Sequence, residues 1–409
     1  MTTCIFDAVR TPRGRGLPLT HDNAGALAGI APHELVRQLI SALDHRSGGA
    51  IPAHTRLLLL SCVGQVGPQG GHIGLVAKLA SSLPAASAAH TLNNYCAGGL
   101  SAINLGSTWA AAQGDQLVLA GGVEMLSAVP FLADGADLYT KPSVRDALGW
   151  LPAPMGSEIM AALEGYTVAD LNAVVLRSHR RAAAAWAEGR FARSIVPVTG
   201  PDGSVALTED EWIQPDLTEA QLERLPLIFK DPAVVAGARH VAASHYPALQ
   251  DWEPTHTPGH APGFTDGAAL VVLGTPAAGA AAGLTPRAEL IASAECGGDP
   301  ILQFGAGFSA LEQALQRAGL ALGDMDLIEF MEAFPAPPLH LERAHHADSA
   351  RVNVNGGHLA MGHPMGATGA VLMGTLLDEL ERRDGEHGLV VTLGANGIGS
   401  ATVIRRRAH

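Results

Sequence analysis

Two residues of this 409-residue chain stand where a helix start gives a side chain chemistry. Cys96 follows Asn93-Asn94-Tyr95 and precedes Ala97-Gly98-Gly99, after which an Ala/Leu/Ile-rich helical stretch begins. A thiol at a helix N-terminus faces unpaired N–H groups and the positive end of the dipole, which lowers its pKa and favours the nucleophilic thiolate. The glycines let a ligand or another backbone segment approach. His363, in Gly362-His363-Pro364, stands just outside a second helix whose first residue is expected to be Pro364, a position that suits proline. Such a histidine can take a proton from a thiol and donate to a developing oxyanion. Each has a plainer alternative: an isolated cysteine is often a small buried hydrophobe, and a histidine at a helix start can serve as a cap. Spacing alone leaves both readings open.

Other groupings carry less. His340, His345, His346 and His358 cluster in sequence and suit either a metal site or a polar surface stretch, with no metal expected. Gly394-Ala395-Asn396-Gly397-Ile398-Gly399 follows a strand as a dinucleotide fingerprint would. Its glycine spacing is wrong, however, and the strand expected at Ala401–Ile404 leaves no room for the helix that fingerprint needs. No G-x-S-x-G elbow is present.

The elements that must position Cys96 and His363 alternate between short β-like runs and longer helical stretches, which predicts an α/β fold with a substantially parallel sheet. Leu57–Leu60, Asp115–Gly122 (stopping at its glycine pair), Ala268–Leu273 and Leu389–Leu393 read as buried strands. A weak internal echo links the helix start at Cys96 and its following strand to the helix start at His363 and its following strand. Between the halves, from about residue 130 to 258, the texture is irregular and rich in Pro, Trp and Tyr. One clear helix is expected there, near Val168–Glu188, opened by a Thr167/Asp170 capping box and stopped by Gly189. The expected organisation is a first half at 1–129 and 259–276, an inserted loop or lid domain at 130–258, and a second half at 277–409.

Composition narrows the class. A 47% hydrophobic and 16% charged chain can bury a core, and 48 glycines with 4% aromatics suggest close helix–sheet packing. The net charge of −13 argues against nucleic acid. No apolar run is long enough for a bilayer and no secretory signal is read, so a soluble cytoplasmic protein is expected. Cys4, Cys62, Cys96 and Cys296 lie far apart and read as reduced thiols.

Taken in order, N-N-Y-C-A-G-G-L-S-A around Cys96, L-A-G-G-V-E-M-L-S, and N-V-N-G-G-H-L-A-M-G-H-P-M-G-A-T-G-A around His363 resemble the thiolase family. The likeness runs from D-A-V-R-T-P-R-G-R-G to L-L-D-E-L-E-R-R and is nearest the bacterial thiolases of fatty-acid β-oxidation. It implies the thiolase fold: two similar αβ halves in a layered αβαβα arrangement, an inserted loop domain, and assembly as homodimers or homotetramers. It also implies an acyltransferase without a tightly bound cofactor, its substrate a coenzyme A thioester. Cys96 matches the family's nucleophile, His363 the histidine that activates it, and Phe334 a pocket-lining aromatic. The backbone N–H groups of Cys96 and Asn396 match an oxyanion hole.

The departures from the family pattern have consequences of their own. Where the family has N-E-A-F this chain has Met331-Glu332-Ala333-Phe334, and where it has a second catalytic cysteine this chain has Gly394. Gly259–Gly263 lacks the coenzyme-A-loop serine. An oxyanion donor is worth about two or three powers of ten in rate and a general acid/base about two to four, so ordinary thiolysis is expected to be impaired. The expected activity is acylation of Cys96 from an acyl-CoA or acyl-carrier thioester and transfer to an acceptor that is already nucleophilic, in biosynthesis. Glu332 or His358, the latter standing where the family has alanine, is a candidate substitute base in the substrate pocket. The alternative is a non-catalytic thiolase-fold subunit or partner protein.

Overall fold

The computed structural model describes residues 2–407. Nine strands carry its main sheet: β1 (Thr3–Arg10), β2 (Thr55–Ser61), β3 (Ala88–Leu92), β4 (Leu117–Met125), β5 (Thr265–Gly274), β6 (Ala288–Gly297), β7 (Leu327–Phe330), β8 (His387–Gly394) and β9 (Ile398–Arg406). The apolar runs read from the sequence fall in β2, β4, β5 and β8, which are buried almost throughout, as strands covered on both faces must be. Across the sheet the order is β7-β8-β9-β6-β1-β5-β4-β2-β3, and the two-residue strand Gly14–Arg15 pairs with β5 as a tenth member.

The echo has a topological counterpart. In the first half β2 runs parallel to β4, which is antiparallel to β5, itself antiparallel to β1. In the second, β7 runs parallel to β8, which is antiparallel to β9, itself antiparallel to β6. The halves meet edge to edge through Thr3↔Leu290, Cys4↔Glu289 and Ile5↔Ala288, so the sheet is continuous.

Helices α1 (Pro32–Ser47), α2 (Gly98–Gln113), α4 (Gly305–Ala318) and α5 (Thr368–Arg383) cover it, while α3 (Val168–Ala187) packs on the short helices His358–Met361 and Ala336–Arg343. Both α2 and α5 pack against strands and against one another. From Thr368 to Leu377 every residue of α5 is buried, as expected of a helix enclosed on all sides. The α2–α5 crossing depends on glycine. A Cβ on Gly99 would lie 2.7 Å from the Gly366 carbonyl oxygen, and one on Gly369 would collide with the backbone of Leu100.

The sheet is not substantially parallel as expected: β2–β3, β2–β4 and β7–β8 pair in parallel, and its other pairings are antiparallel. Three local expectations change as well. Pro364 does not open α5: a 3₁₀ turn at Met365–Ala367 intervenes and the helix begins at Thr368. The Gly121-Gly122 pair does not end its strand, since β4 continues to Met125. A Cβ at Gly121 would strike the Ala269 carbonyl of β5, and one at Gly122 the Gly366 carbonyl, so these glycines admit neighbouring backbone instead of stopping the strand. Residues 130–258 are also less irregular than expected. Besides α3, with its Thr167/Asp170 capping box, they form helices at Ala153–Glu164 and Pro232–His245. Asp210 ties this region to the sheet: it accepts from Arg10 Nη1 at 2.8 Å and from the Arg13 amide at 2.7 Å. The two guanidiniums hold its buried carboxyl down at about 2. Among the described residues no helix is long and apolar enough to cross a membrane.

Candidate active site

The start of α2 and the turn before α5 bring Cys96 and His363 onto one cavity of about 750 Å³. Backbone strain concentrates there. Tyr95 (φ 45°), Met365 (φ 20°) and Asn396 (φ 59°) are all non-glycine residues on the left-handed side, and each lines the cavity. Phe334 and Asn396 also line it, and the Phe304 ring meets that of Phe334 at a tilt of 43° with centroids 5.7 Å apart. Residues 130–258 supply Phe131, Trp150, Trp212 and Leu222 to the lining. The lining contains no lysine or arginine.

Cys96 is partly buried and sits two residues before the first turn of α2. The thiolate expected from that position does not form in the resting site. Burial, followed by the charge of Glu124, pushes the thiol up to about 12, and the hydrogen bond from its own backbone N–H offsets only part of this. The helix dipole is a fraction-of-a-charge effect, and here desolvation outweighs it. His363 is likewise neutral: burial, then the nearby Arg13, lowers its pKa to about 3. Its Nδ1 lies 2.7 Å from Thr368 Oγ1, and its Nε2 has no protein partner. A hydroxyl can donate to or accept from Nδ1, so either tautomer of His363 is available. The site therefore pairs a neutral thiol with a neutral imidazole, and a proton must move as the sulfur reacts.

Glu124 was not singled out by sequence reasoning, although an acid inside the apolar run of β4 was the available signal. It is fully buried on the cavity wall and accepts from the Val63, Gly64 and Gly366 amides at 2.9, 3.0 and 3.1 Å and from Gln69 Nε2 at 2.9 Å. Burial raises its pKa despite these donors. Its bond to Gly366 holds the turn after His363 against the strand beside Cys96.

Two sequence candidates fall outside the wall. Glu332 is sequestered: it accepts from Ser178 Oγ at 2.7 Å, Asn353 Nδ2 at 3.1 Å and the Leu359 amide at 3.2 Å, and Gly357 packs onto its carboxyl group. With its oxygens committed to these donors it is a structural acid and not a pocket base. His358 is fully buried and absent from the lining, with its ring edge-on to that of His363 at 5.3 Å. Met331 is fully buried in the core, its amide bonded to the Val391 carbonyl. A Cβ on Gly394 would meet Ile398 at 3.3 Å and Tyr95 at 3.5 Å.

The histidine cluster divides. His340 and His345 flank Phe308 at 4.8 and 4.9 Å, whereas His358 belongs with His363. The described residues include no group of three or more His, Cys, Asp or Glu that could hold a metal ion. A second unforeseen cluster has the order of a hydrolase triad. Ser157 Oγ lies 2.7 Å from His256 Nε2, and His256 Nδ1 lies 3.0 Å from Glu158. All three are fully buried and none lines the cavity, so they offer no accessible nucleophile.

Comparison with known proteins bears on the whole chain. Residues 3–242 match the family model "Thiolase, N-terminal domain" and residues 284–406 match "Thiolase, C-terminal domain". The chain is 33% identical over 422 residues to the β-ketoadipyl-CoA thiolase of Pseudomonas aeruginosa, covering 98% of each. It is 32% identical over 410 residues to the 3-ketoacyl-CoA thiolase of Aeromonas hydrophila, again covering 98% of each. Its fold superposes on the crystal structure of the Bacillus anthracis acetyl-CoA acetyltransferase with a TM-score of 0.82, at 27% identity and 99% coverage of both chains.

Proposed function

The chain belongs to the thiolase family of acyltransferases, and from that premise we propose that it carries an acyl group on Cys96 and passes it to an unconventional acceptor. One observation carries the reading: Cys96 and His363 line the same largely apolar cavity, and His363 Nε2 is buried without a protein partner. In the first step the Cys96 thiol proton passes to His363 Nε2 while the sulfur attacks the thioester carbonyl carbon. The bond from that carbon to the leaving sulfur breaks, and the departing thiolate takes the proton back from His363. The Cys96 and Asn396 backbone N–H groups are the donors assigned to the oxygen of the second step. With Gly394 in place of an acid/base, that step suits an acceptor that needs no carbon deprotonation, such as an amine, an alcohol, water or a carbanion formed by decarboxylation. This fits biosynthesis better than thiolysis.

The substrate is an acyl-CoA or acyl-carrier thioester with an apolar acyl group. A carboxylate on the acyl chain would find no cation among the lining residues, and burying it unpaired is costly. Residues 130–258 act as the inserted cap over this cavity. A homodimer or homotetramer is supported by the unpaired edge of β3 and by the exposed side chains of Leu75, Val76, Leu79 and Leu105. We place the protein in the cytoplasm.

The protonated state of Cys96, together with Met331 and Gly394, favours a second reading, a non-catalytic subunit. Intact-protein mass spectrometry after mixing with acyl-CoAs from acetyl to decanoyl, and with acyl-carrier proteins, decides between them. A gain of one acyl mass that is absent in Cys96→Ala is expected; no adduct with any donor would leave the non-catalytic reading.

A further inference from the structure

Aromatic side chains are scarce in this protein and unevenly placed. The chain has nine Phe, five Trp and four Tyr, and eight of these 18 residues line the cavity of Cys96. Apart from Tyr95, beside the cysteine, they fall into two groups. Phe131 and Phe264 have ring centroids 6.0 Å apart, and at 45% and 50% exposure they mark the mouth. Trp212 joins them, its Nε1 donating to the Phe264 carbonyl at 3.1 Å. Phe304 and Phe334, 2% and 8% exposed, belong to the inner end. The segment bearing Trp150 is tied to them, because Gln303 Nε2 donates to the Leu151 and Pro152 carbonyls at 3.2 Å. Trp150 in turn meets Tyr139 with centroids 5.9 Å apart.

The two substituents of a thioester leave its carbonyl–sulfur unit in opposite directions. The arm on the sulfur is tethered to a bulky carrier that stays in solvent, so it follows the mouth, and the acyl group meets the inner rings. A linear acyl chain asks only for apolar area. Leu, Ile, Val and Met supply that equally well, and 47% of this chain is hydrophobic against 4% aromatic. Rings offer something further: in offset or edge-to-face contact two of them attract through their quadrupoles, beyond the area they bury. Trp150 and Tyr139 are only half buried and keep ring surface for such a contact.

We propose that the acyl group carried by this protein bears an uncharged aromatic ring, held by Trp150, Phe304 and Phe334. This names the substrate class for the acyl transfer proposed above and rests on that reading. The ring is uncharged because no lysine or arginine lines the cavity to meet an anionic substituent.

The test follows Cys96 acylation by intact-protein mass spectrometry with phenylacetyl-, 3-phenylpropanoyl- and 4-phenylbutanoyl-CoA. Each is set against its cyclohexyl counterpart of the same skeleton, and all against octanoyl-CoA. Cyclohexyl buries more apolar area, so area alone favours the saturated ring. At the best spacer the phenyl donor is expected to react about tenfold faster than the cyclohexyl donor. That ratio is expected to fall to about twofold in Trp150→Leu and to recover to about fivefold in Trp150→Phe, which restores a ring. Equal rates for phenyl and cyclohexyl donors at every spacer, or fastest reaction with octanoyl-CoA, overturn the inference while acyl transfer stands. A ratio untouched by Trp150→Leu overturns the assignment to the inner rings. Calorimetric binding of the same donors to Cys96→Ala needs no chemistry. About tenfold tighter binding of the phenyl donor is expected, and equal affinities overturn the inference. A wild type inert to every thioester overturns the acyl-transfer reading, and the affinities then decide the ring site by themselves.

Discussion

Two pairs of buried histidines lie near the cavity, and they are built to opposite plans. In the pair His256–His260 every ring nitrogen has a partner: Ser157, Glu158 and Thr255 around His256, and Asn172 with the Thr257 amide around His260. In the pair His358–His363 only His363 Nδ1 is satisfied, by Thr368. Their rings are similarly close, with centroids 5.4 and 5.3 Å apart. A satisfied polar cluster fixes structure, since every member loses a bond if it moves. The His358–His363 pair has no such closure: three of its four ring nitrogens are without a protein partner. The contrast separates a clasp from a candidate site more clearly than residue type does, because the clasp carries the Ser–His–Glu order of a hydrolase and the candidate site does not.

The hardest blow to this contrast falls on His363. His363→Ala is expected to slow acyl-enzyme formation about a thousandfold with little change in thermal midpoint; a loss below about tenfold would make it another structural histidine. Next comes its anchor. Thr368→Val removes the group that orients the base, and about a tenfold loss of acylation is expected, read by the same mass-spectrometric time course.

The clasp should answer in the other currency. His256→Ala leaves Ser157 and Glu158 each one partner short and is expected to cost about 1–3 kcal/mol of stability by denaturant titration. Acylation per folded molecule should stay within about threefold, well short of what losing a general base costs; a larger catalytic loss would merge the two clusters. The smallest effect concerns pH. His363 is lowered to about 3 and Cys96 raised to about 12, so between pH 5.5 and 8 neither changes charge. The acylation rate should vary by less than about twofold across that interval, with no inflection near 6.5, the pKa of an unperturbed histidine. A clear step there would show that His363 titrates as a solvated group.

How much was legible beforehand differs by element. The strands β2, β4, β5 and β8 could be read because both of their faces are buried and apolar runs mark them. The ends could not. Gly121-Gly122 looks like a stop signal, yet its glycines make room for Ala269 and Gly366, residues more than a hundred positions away. Pro364 looks like the first residue of a helix, but the chain spends one 3₁₀ turn bringing Gly366 to Glu124 before α5 begins. Cys96 and His363 stood out by type and motif, and Phe334 and Asn396 join them on the cavity. Glu332 and His358 were grouped with the pocket as candidate substitutes for the lost acid/base, on residue type and position in the motif alone. A carboxylate's partners, here Ser178 and Asn353, come from distant segments and decide whether it faces a ligand or the core.

The sequence by itself determined the α/β class, the family, the two candidate residues for its chemistry, and the loss of a hydroxyl, an amide and a second thiol from the family's pattern. Those follow from local spacing and residue type. Only the tertiary structure decided the charge state of Cys96, the burial of Glu332, the open nitrogens of His358 and the presence of Glu124 beside the thiol. Each of these is set by desolvation and by partners brought in from other elements. A helix N-terminus can be read from a few neighbouring residues, but the burial that overrides its dipole at Cys96 is a property of everything packed around it.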